Sequence, residues 1–343
     1  MNYPFFRSLL FRLDPERAHG LTLNMIRLAG ALPPLREILR RWFSAPALPV
    51  QAFGLTFANP VGLAGGYDKD GLGWRGLACL GFGHVEVGTV TPLPQPGNPK
   101  PRIFRLVEDQ ALINRMGFPG RGAEFVARQL RRPRPAGFVL GVNLGKNKDT
   151  PLEEAANDYL KLVRMFSDVG DYLAINVSSP NTPGLRRLQA SQELEKLLSV
   201  LAQERRELLE RRSHLKPLPL LIKLAPDLSS EELDDVLRAI LDYRMDGVIA
   251  TNTTLQREGL RSPHSKETGG LSGAPLFERS REVVQQIYQR TQGRLPIIGA
   301  GGILNAVRAR QMLDAGATLV QVYTGLIYQG PGLVWQILTG LQK

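Results

Sequence analysis

The stretch LPLLIKLAPDLSSEELDDVLRAILDYRMDGVIATNTT, Leu218 to Thr254, holds the fold in miniature. It opens on the apolar run Leu218–Leu224, interrupted only by Lys223 near its end. A strand that is apolar on both faces belongs in a parallel sheet covered by helices. Ser229 or Ser230 then precedes Glu231 and Glu232, a helix-start signal, and apolar residues return at helical spacing as far as Tyr243. A second run, Gly247–Thr251, ends on TNTT, Thr251 to Thr254. Strand, loop, helix, strand is one unit of an α/β fold.

The same unit recurs on both sides. Further runs fall at Val61–Gly65, Val85–Val90, Phe138–Leu144, Tyr172–Val177, Leu295–Ile298 and Leu319–Tyr323. Helical spacing occupies Thr150–Asp168, Ser191–Arg212, Phe277–Thr291 and Asn305–Ala315, with Thr150 before Pro151 as a candidate cap. Eight runs alternating with helices predict a (β/α)8 TIM barrel rather than an open sheet. Residues 1–46 stand outside the pattern. They form amphipathic stretches near Phe5–Leu13, Pro15–Gly30 and Pro33–Phe43, with seven arginines against three acids. This extension reads as a helical cap on the barrel, as an interfacial helix pair with its apolar face in lipid, or as both. We therefore divide the chain into a small N-terminal helical unit, 1–46, and a barrel, 47–343.

Composition narrows the partners. The net charge of +11 favours an anionic partner: nucleic acid, an anionic membrane or an acidic substrate. Arginines such as Arg128, Arg131, Arg132, Arg205, Arg206, Arg211 and Arg212 are spread over helices without interleaved aromatics, so nucleic acid is not expected. One cysteine, Cys79, forbids an internal disulfide, and four scattered histidines give no metal-binding pair, so no metal is expected. No apolar run approaches the ~18 residues of a spanning helix, and the N-terminus lacks the features of a secretory signal.

Chemistry in such barrels sits where strands end. After the first run come Gly65, Gly66, Tyr67, Asp68 and Lys69, and the second gives Thr89 and Thr91. The third and fourth give Asn143 and Lys146, then Asn176, Ser179 and Asn181. The fifth holds Lys223, the sixth ends in TNTT, the seventh in GAGG (Gly299 to Gly302) and the eighth in Tyr323, Thr324 and Gly325. Amides, hydroxyls and lysines in a ring suit a flat, anionic, hydrogen-bonding guest. The glycines after the seventh run expose backbone N–H groups ahead of a helix near Leu304, a phosphate site. Lys223 reads as a fixed cation beside a cofactor that gains negative charge, or as a buried lysine paired with a carboxylate.

With these residues placed, the sequence resembles the class 2, quinone-dependent dihydroorotate dehydrogenases over nearly its whole length. The motifs are NPVGLAGGYDKDG (Asn59 to Gly71), EVGTVTPLPQPGNPKPRIFR (Glu86 to Arg105), INRMGF (Ile113 to Phe118), NLGKNKDTP (Asn143 to Pro151), NVSSPNTPGLR (Asn176 to Arg186), KLAPDLS (Lys223 to Ser229), GVIATNTT (Gly247 to Thr254) and GGLSGAPL (Gly269 to Leu276). One departure is Tyr67, where Leu or Phe is expected.

The resemblance implies FMN, with its phosphate on Gly302, Tyr323, Thr324 and Gly273 and its ring among Gly65, Gly66, Tyr67, Asp68, Lys69, Thr89, Asn143, Asn176, Lys223 and Thr251. It implies dihydroorotate held by Lys69, Asn114, Arg115, Met116, Gly117, Phe118, Asn176, Asn181, Asn252 and Thr253, and oxidised to orotate. Ser179 is implied as the catalytic base, on a proline-stiffened loop that acts as a lid. The acceptor implied is a membrane quinone, with His19, Arg105 and Tyr323 near its head. The implied setting is peripheral, on the cytoplasmic face of a bacterial inner membrane, with the chain a monomer on anionic lipid. A nicotinamide site is not expected, because GxGxxG followed by an acid about twenty residues on is absent. Two alternatives remain at this stage: another FMN barrel acting on a dihydropyrimidine without a carboxylate, for which Lys69 discriminates, and a basic nucleic-acid- or membrane-binding module.

Overall fold

The computed structural model describes residues 3–135, 137–211 and 217–343. Met1, Asn2 and Arg212, which the sequence reading includes in its N-terminal unit and in one helix, lie outside the described residues. Eight parallel strands close into a barrel: β1 (Val61–Leu63), β2 (His84–Val90), β3 (Val139–Leu144), β4 (Tyr172–Asn176), β5 (Leu220–Leu224), β6 (Gly247–Ala250), β7 (Ile297–Ala300) and β8 (Leu319–Val322). Neighbours in sequence are neighbours in space, and β8 returns to pair with β1 through Val320–Val61 and Val322–Leu63. All eight correspond to the apolar runs, and every residue in them is buried.

Two additions escape the sequence pattern. A hairpin of Val50–Ala52 and Leu55–Phe57 plugs the N-terminal end, where Phe57 meets Tyr172, Leu221, Ile249, Ile298 and Leu319 in one cluster. At the other end a three-stranded antiparallel sheet of Ile103–Leu106, Ala111–Asn114 and Gly270–Gly273 lies outside the barrel. Ser229 caps the helix Ser230–Asp242 in a capping box with Glu232. Thr150 does not cap. Its hydroxyl donates to Asp158 at 2.7 Å, and a turn at Leu152–Glu154 intervenes before the helix Ala155–Phe166.

Three helices precede the barrel: α1 (Tyr3–Leu10), α2 (Pro15–Ala31) and α3 (Pro33–Trp42). Asp14 caps α2 by accepting the Glu16 and Arg17 amides. The helix crosses the short helix Trp74–Leu77 at a glycine-to-glycine contact, since a Cβ on Gly30 would overlap the Gly76 backbone and one on Gly76 would overlap the Ile26 carbonyl. Glu16 adds an ion pair to buried Arg102 at 2.7 Å. The outer face stays apolar: Phe5, Phe6, Leu9, Leu21, Met25, Leu28, Leu35, Ile38 and Trp42 are all exposed. No helix among the described residues is long and apolar enough to cross a membrane.

Burial inside the barrel has a titratable consequence. His84 is fully buried, and desolvation drives its imidazole down to about 4 despite the nearby Glu86 carboxylate. The unfolded chain, with the ordinary value near 6.5, then binds a proton that the folded chain refuses. This stability contribution is whole above about pH 6.5 and is lost as pH falls towards 4, to the order of ~3 kcal/mol. Replacing His84 with Met should therefore flatten the fall of the thermal midpoint between pH 7 and pH 4.5. The raised Asp68 carboxyl opposes the trend equally in both proteins, so comparing their midpoints at the two pH values isolates His84.

Candidate functional site

A polar cavity opens at the C-terminal mouth of the barrel. Each strand delivers its side chains because the strands are short and end together: Asn176 pairs with Lys223 in the register of β4 and β5, and Thr251 and Asn252 follow directly on β6. Gly65, Gly66, Lys69, Thr89, Asn114, Met116, Gly117, Phe118, Asn176, Ser179, Asn181, Lys223, Thr251, Asn252, Thr253, Gly273, Gly302, Tyr323 and Thr324 all line it. Most residues singled out from the sequence are therefore brought together in one place.

Four are not. Tyr67 turns to a second cavity. The Asp68 carboxylate accepts the Leu72 amide at 2.9 Å and the Gly73 amide at 2.8 Å, closing a turn, while burial pushes its acid up to about 6. Asn143 lies beneath the floor: its Nδ2 donates to Glu86 at 2.8 Å, and its Oδ1 accepts from Asn176 at 3.1 Å. Arg115 points outward, paired with Glu267 at 2.7 Å and stacked on Phe104.

The floor contains groups that sequence reading passed over. Glu86, fully buried, lies 3.4 Å from Lys223 Nζ and accepts hydrogen bonds from Gln321 at 3.1 Å and Tyr172 at 3.2 Å. Burial alone would raise its acid, but the Lys223 ammonium with the Gln321 and Asn143 donors holds it below the ordinary carboxylate value. Lys223 is thus the partner of a buried carboxylate, one of its two sequence readings, and it also lines the cavity. The isolated polar residues Glu86 and Gln321, set in otherwise apolar runs, were the available signal.

One end of the cavity is backbone. Gly301 and Gly302 adopt positive φ, and Gly302 approaches Phe277 and the Gly273 carbonyl so closely that a Cβ would not fit. The helix after β7 starts at Ala306 with Asn305 as its cap, slightly later than expected, so the glycines form the loop ahead of it. With Thr324 and Gly325 opposite, this is a cradle for an anion. At the other end, Lys69 Nζ donates to the Gly66 carbonyl at 2.6 Å, and burial, with Arg102 adding to it, brings its ammonium down to about 8. Among the described residues, Thr253 Oγ1 and Gln321 Oε1 are buried without a protein partner in a cavity built of donors and acceptors. Ser179 is buried at its edge, where its Oγ accepts the Asn181 amide at 3.2 Å, and Asn181 Nδ2 donates to Asn114 at 3.2 Å.

A second, apolar cavity lies between α1–α3 and the barrel. Leu10, Ala18, Met25, Ile26 and Leu39 line it from the helices, Phe11 and Phe43 from the residues just after α1 and α3, and Tyr3, His19, Thr22, Tyr67, Arg105 and Tyr323 are its polar points. Burial, with Lys69 adding to it, lowers His19 to about 4, and its ring meets Tyr67 edge-on at 4.9 Å. Arg105 donates to the Phe11 and Leu13 carbonyls at 3.0 and 2.8 Å and lies over the Phe11 ring, closing the C-terminal end of α1. Tyr323 lines both cavities, and Tyr67 packs on it at 5.9 Å.

An eight-stranded parallel barrel whose mouth holds a cation-floored polar site, abutting a separate apolar site across two tyrosines, defines a barrel enzyme with two adjoining binding sites. Comparison with known proteins narrows the class: the dihydroorotate dehydrogenase family model matches residues 47–343, and the chain belongs to that family. It is 51% identical to the dihydroorotate dehydrogenase (quinone) of Acidithiobacillus ferrooxidans, over 99% of this chain and 94% of that one. It is likewise 51% identical to that of Thermus thermophilus, over 97% and 94%. The crystal structure of DHODH from Eimeria tenella in complex with ferulenol superposes with a TM-score of 0.85 at 40% identity, covering 96% of this chain and 90% of that one.

Proposed function

We propose that the protein oxidises dihydroorotate to orotate in the polar cavity and passes the electrons to a quinone in the apolar one, serving pyrimidine biosynthesis. The carrying observation is the adjacency of the two cavities through Tyr323. FMN fits the first: the glycine cradle suits its phosphate, the side-chain-free lining at Gly65 and Gly66 leaves room for its ring, and the Lys223–Glu86 pair suits an edge that gains charge. Bound there, FMN would supply two-electron redox chemistry between the substrate and the quinone.

The chain's own residues supply the rest. Lys69 holds the substrate carboxylate, while Asn114, Asn181, Asn252 and Thr253 match the donor and acceptor edges of the pyrimidine ring. Ser179 takes the proton from C5 as hydride leaves C6. A hydroxyl is a weak base, so its role depends on placement and on an exit for the proton. Residues 1–46 form the quinone and membrane unit: their exposed apolar face sits in lipid, their arginines meet anionic headgroups, and His19 and Arg105 approach the quinone head. The protein is then a monomer, peripheral on the cytoplasmic face of the inner membrane.

Purified protein should be yellow, bleach anaerobically with dihydroorotate, and turn over with quinone but not with NAD or fumarate. Colourless protein, or bleaching that only NAD reverses, would sink the reading. Lys69→Met should weaken dihydroorotate by roughly tenfold or more, the weight of a charge-assisted contact, and leave carboxylate-free dihydrouracil unchanged. Because the Lys69 ammonium titrates near 8, dihydroorotate affinity should fall as pH rises through that value in the parent and not in the variant. Equal losses for both ligands would instead favour a carboxylate-free substrate.

A further inference from the structure

Ser179 hangs on a short loop that two side chains grip by its carbonyls. Arg186, in the turn Leu185–Gln189, donates from Nε to the Ser178 carbonyl at 3.1 Å, from Nη2 to the Thr253 carbonyl at 2.8 Å, and from Nη1 to Asp227 Oδ2 at 2.7 Å. Asp227 also accepts from the Thr254 hydroxyl and from the Leu255 amide at 3.2 Å. One guanidinium thus joins the loops that follow β4, β5 and β6. The far end of the Ser179 loop is held by Asn98, whose Nδ2 donates to the Asn181 carbonyl at 3.1 Å.

We propose that Arg186 is a positioning residue: it sets the spacing between Ser179 and the Asn252–Thr253 segment that holds the substrate. The inference rests on the reading of Ser179 as the proton acceptor. The Ser178 carbonyl belongs to the peptide plane that carries the Ser179 nitrogen, so pinning that plane pins the Ser179 Cα and leaves mainly its χ1 free. A guanidinium is planar, with donors at fixed angles, so two carbonyls bound to one such group cannot drift apart independently. A lysine ammonium has no such fork. Asp227 holds the guanidinium in place, and the pair is largely shielded, its side chains 22% and 20% exposed. A second tie runs parallel, from Asn252 Nδ2 to the buried Ser178 hydroxyl at 3.0 Å. Proton transfer needs such precision, because a misplacement of about 1 Å can cost on the order of 10²-fold.

The test uses full-length, FMN-loaded protein carrying Arg186→Lys, in the parent and in the Ser179→Ala background. Orotate affinity and the thermal midpoint report the fold and binding shell; stopped-flow bleaching by dihydroorotate reports proton removal. Arg186→Lys should leave orotate affinity within about threefold and slow bleaching by ~10–10²-fold. In the Ser179→Ala background the same change should have less than about a twofold effect, because a residue acting through another couples to it. Bleaching at the parental rate would overturn the proposal, as would an equal loss in both backgrounds. Should Arg186→Lys not fold, Asp227→Asn replaces it and must show the same coupled loss; a lower midpoint with parental bleaching would reduce the pair to a staple. Parental bleaching in Ser179→Ala alone would instead remove the base itself, a separate failure visible before Arg186 is touched.

Discussion

Ser179→Ala is expected to bind FMN and orotate as the parent does and to lose ~10²–10⁴ of the rate at which dihydroorotate bleaches the protein. The expectation follows from where the residue sits. Ser179 lies at the rim of the polar cavity, and among the described residues its Oγ makes one hydrogen bond, from the Asn181 amide within its own loop. The loop is held instead through the Ser178 and Asn181 carbonyls, which survive the substitution. Lys69, Asn114, Asn252 and Thr253 come from other strands and loops, and Asn181 in the same loop stays held by Asn98 through its carbonyl, so the shell for orotate remains. A rate within about threefold of the parent would mean that another group accepts the proton. Ser179→Cys should retain partial activity that rises with pH as thiolate forms.

Gly76→Val is expected to cut quinone turnover by on the order of 10²-fold while leaving bleaching by dihydroorotate within about twofold. A Cβ at Gly76 would overlap the Ile26 carbonyl and press on the Ile26 side chain, both on α2, so the helix cannot keep its seat. Overpacking of this kind costs roughly 1–3 kcal/mol when neighbours shift to relieve it. Thr22, Met25, Ile26 and Ala29 of α2 line the apolar cavity, and none lines the polar one. Rapid-reaction bleaching and steady-state turnover with a long-chain quinone measure the two halves separately. Equal losses in both would make α1–α3 a structural cap, and undiminished quinone turnover would detach them from the acceptor site.

The barrel was legible because its strands are buried on both faces and so read as apolar runs, each followed by turn-forming residues and a helical period. Lys223 and the amides at Asn176 and Asn252 stood out for the same reason, as polar groups at the ends of such runs. What stayed hidden had too short a signal or too ordinary a context. The hairpin Val50–Phe57 and the sheet carrying Asn114 and Gly273 are built from strands of three and four residues, below any usable period. Arg186 reads as one more arginine after a loop, and only the third dimension shows three loops on its guanidinium. Asp68 misleads in the opposite direction: it stands among cavity residues in the chain, yet its carboxylate serves the turn that follows.

Tyr323, shared by the two cavities, makes the chain two recognition problems with a common border. On the proposed reading the pyrimidine is recognised by barrel loops and the acceptor largely by α2 and its neighbours, so the two preferences are separately heritable. On that reading, drift at Met25 or Ile26 would alter the fit to the acceptor without touching Asn114, Asn181 and Asn252. By the same reasoning, a substitution on α2 would change what the apolar cavity admits while leaving the lining of the barrel mouth as it is.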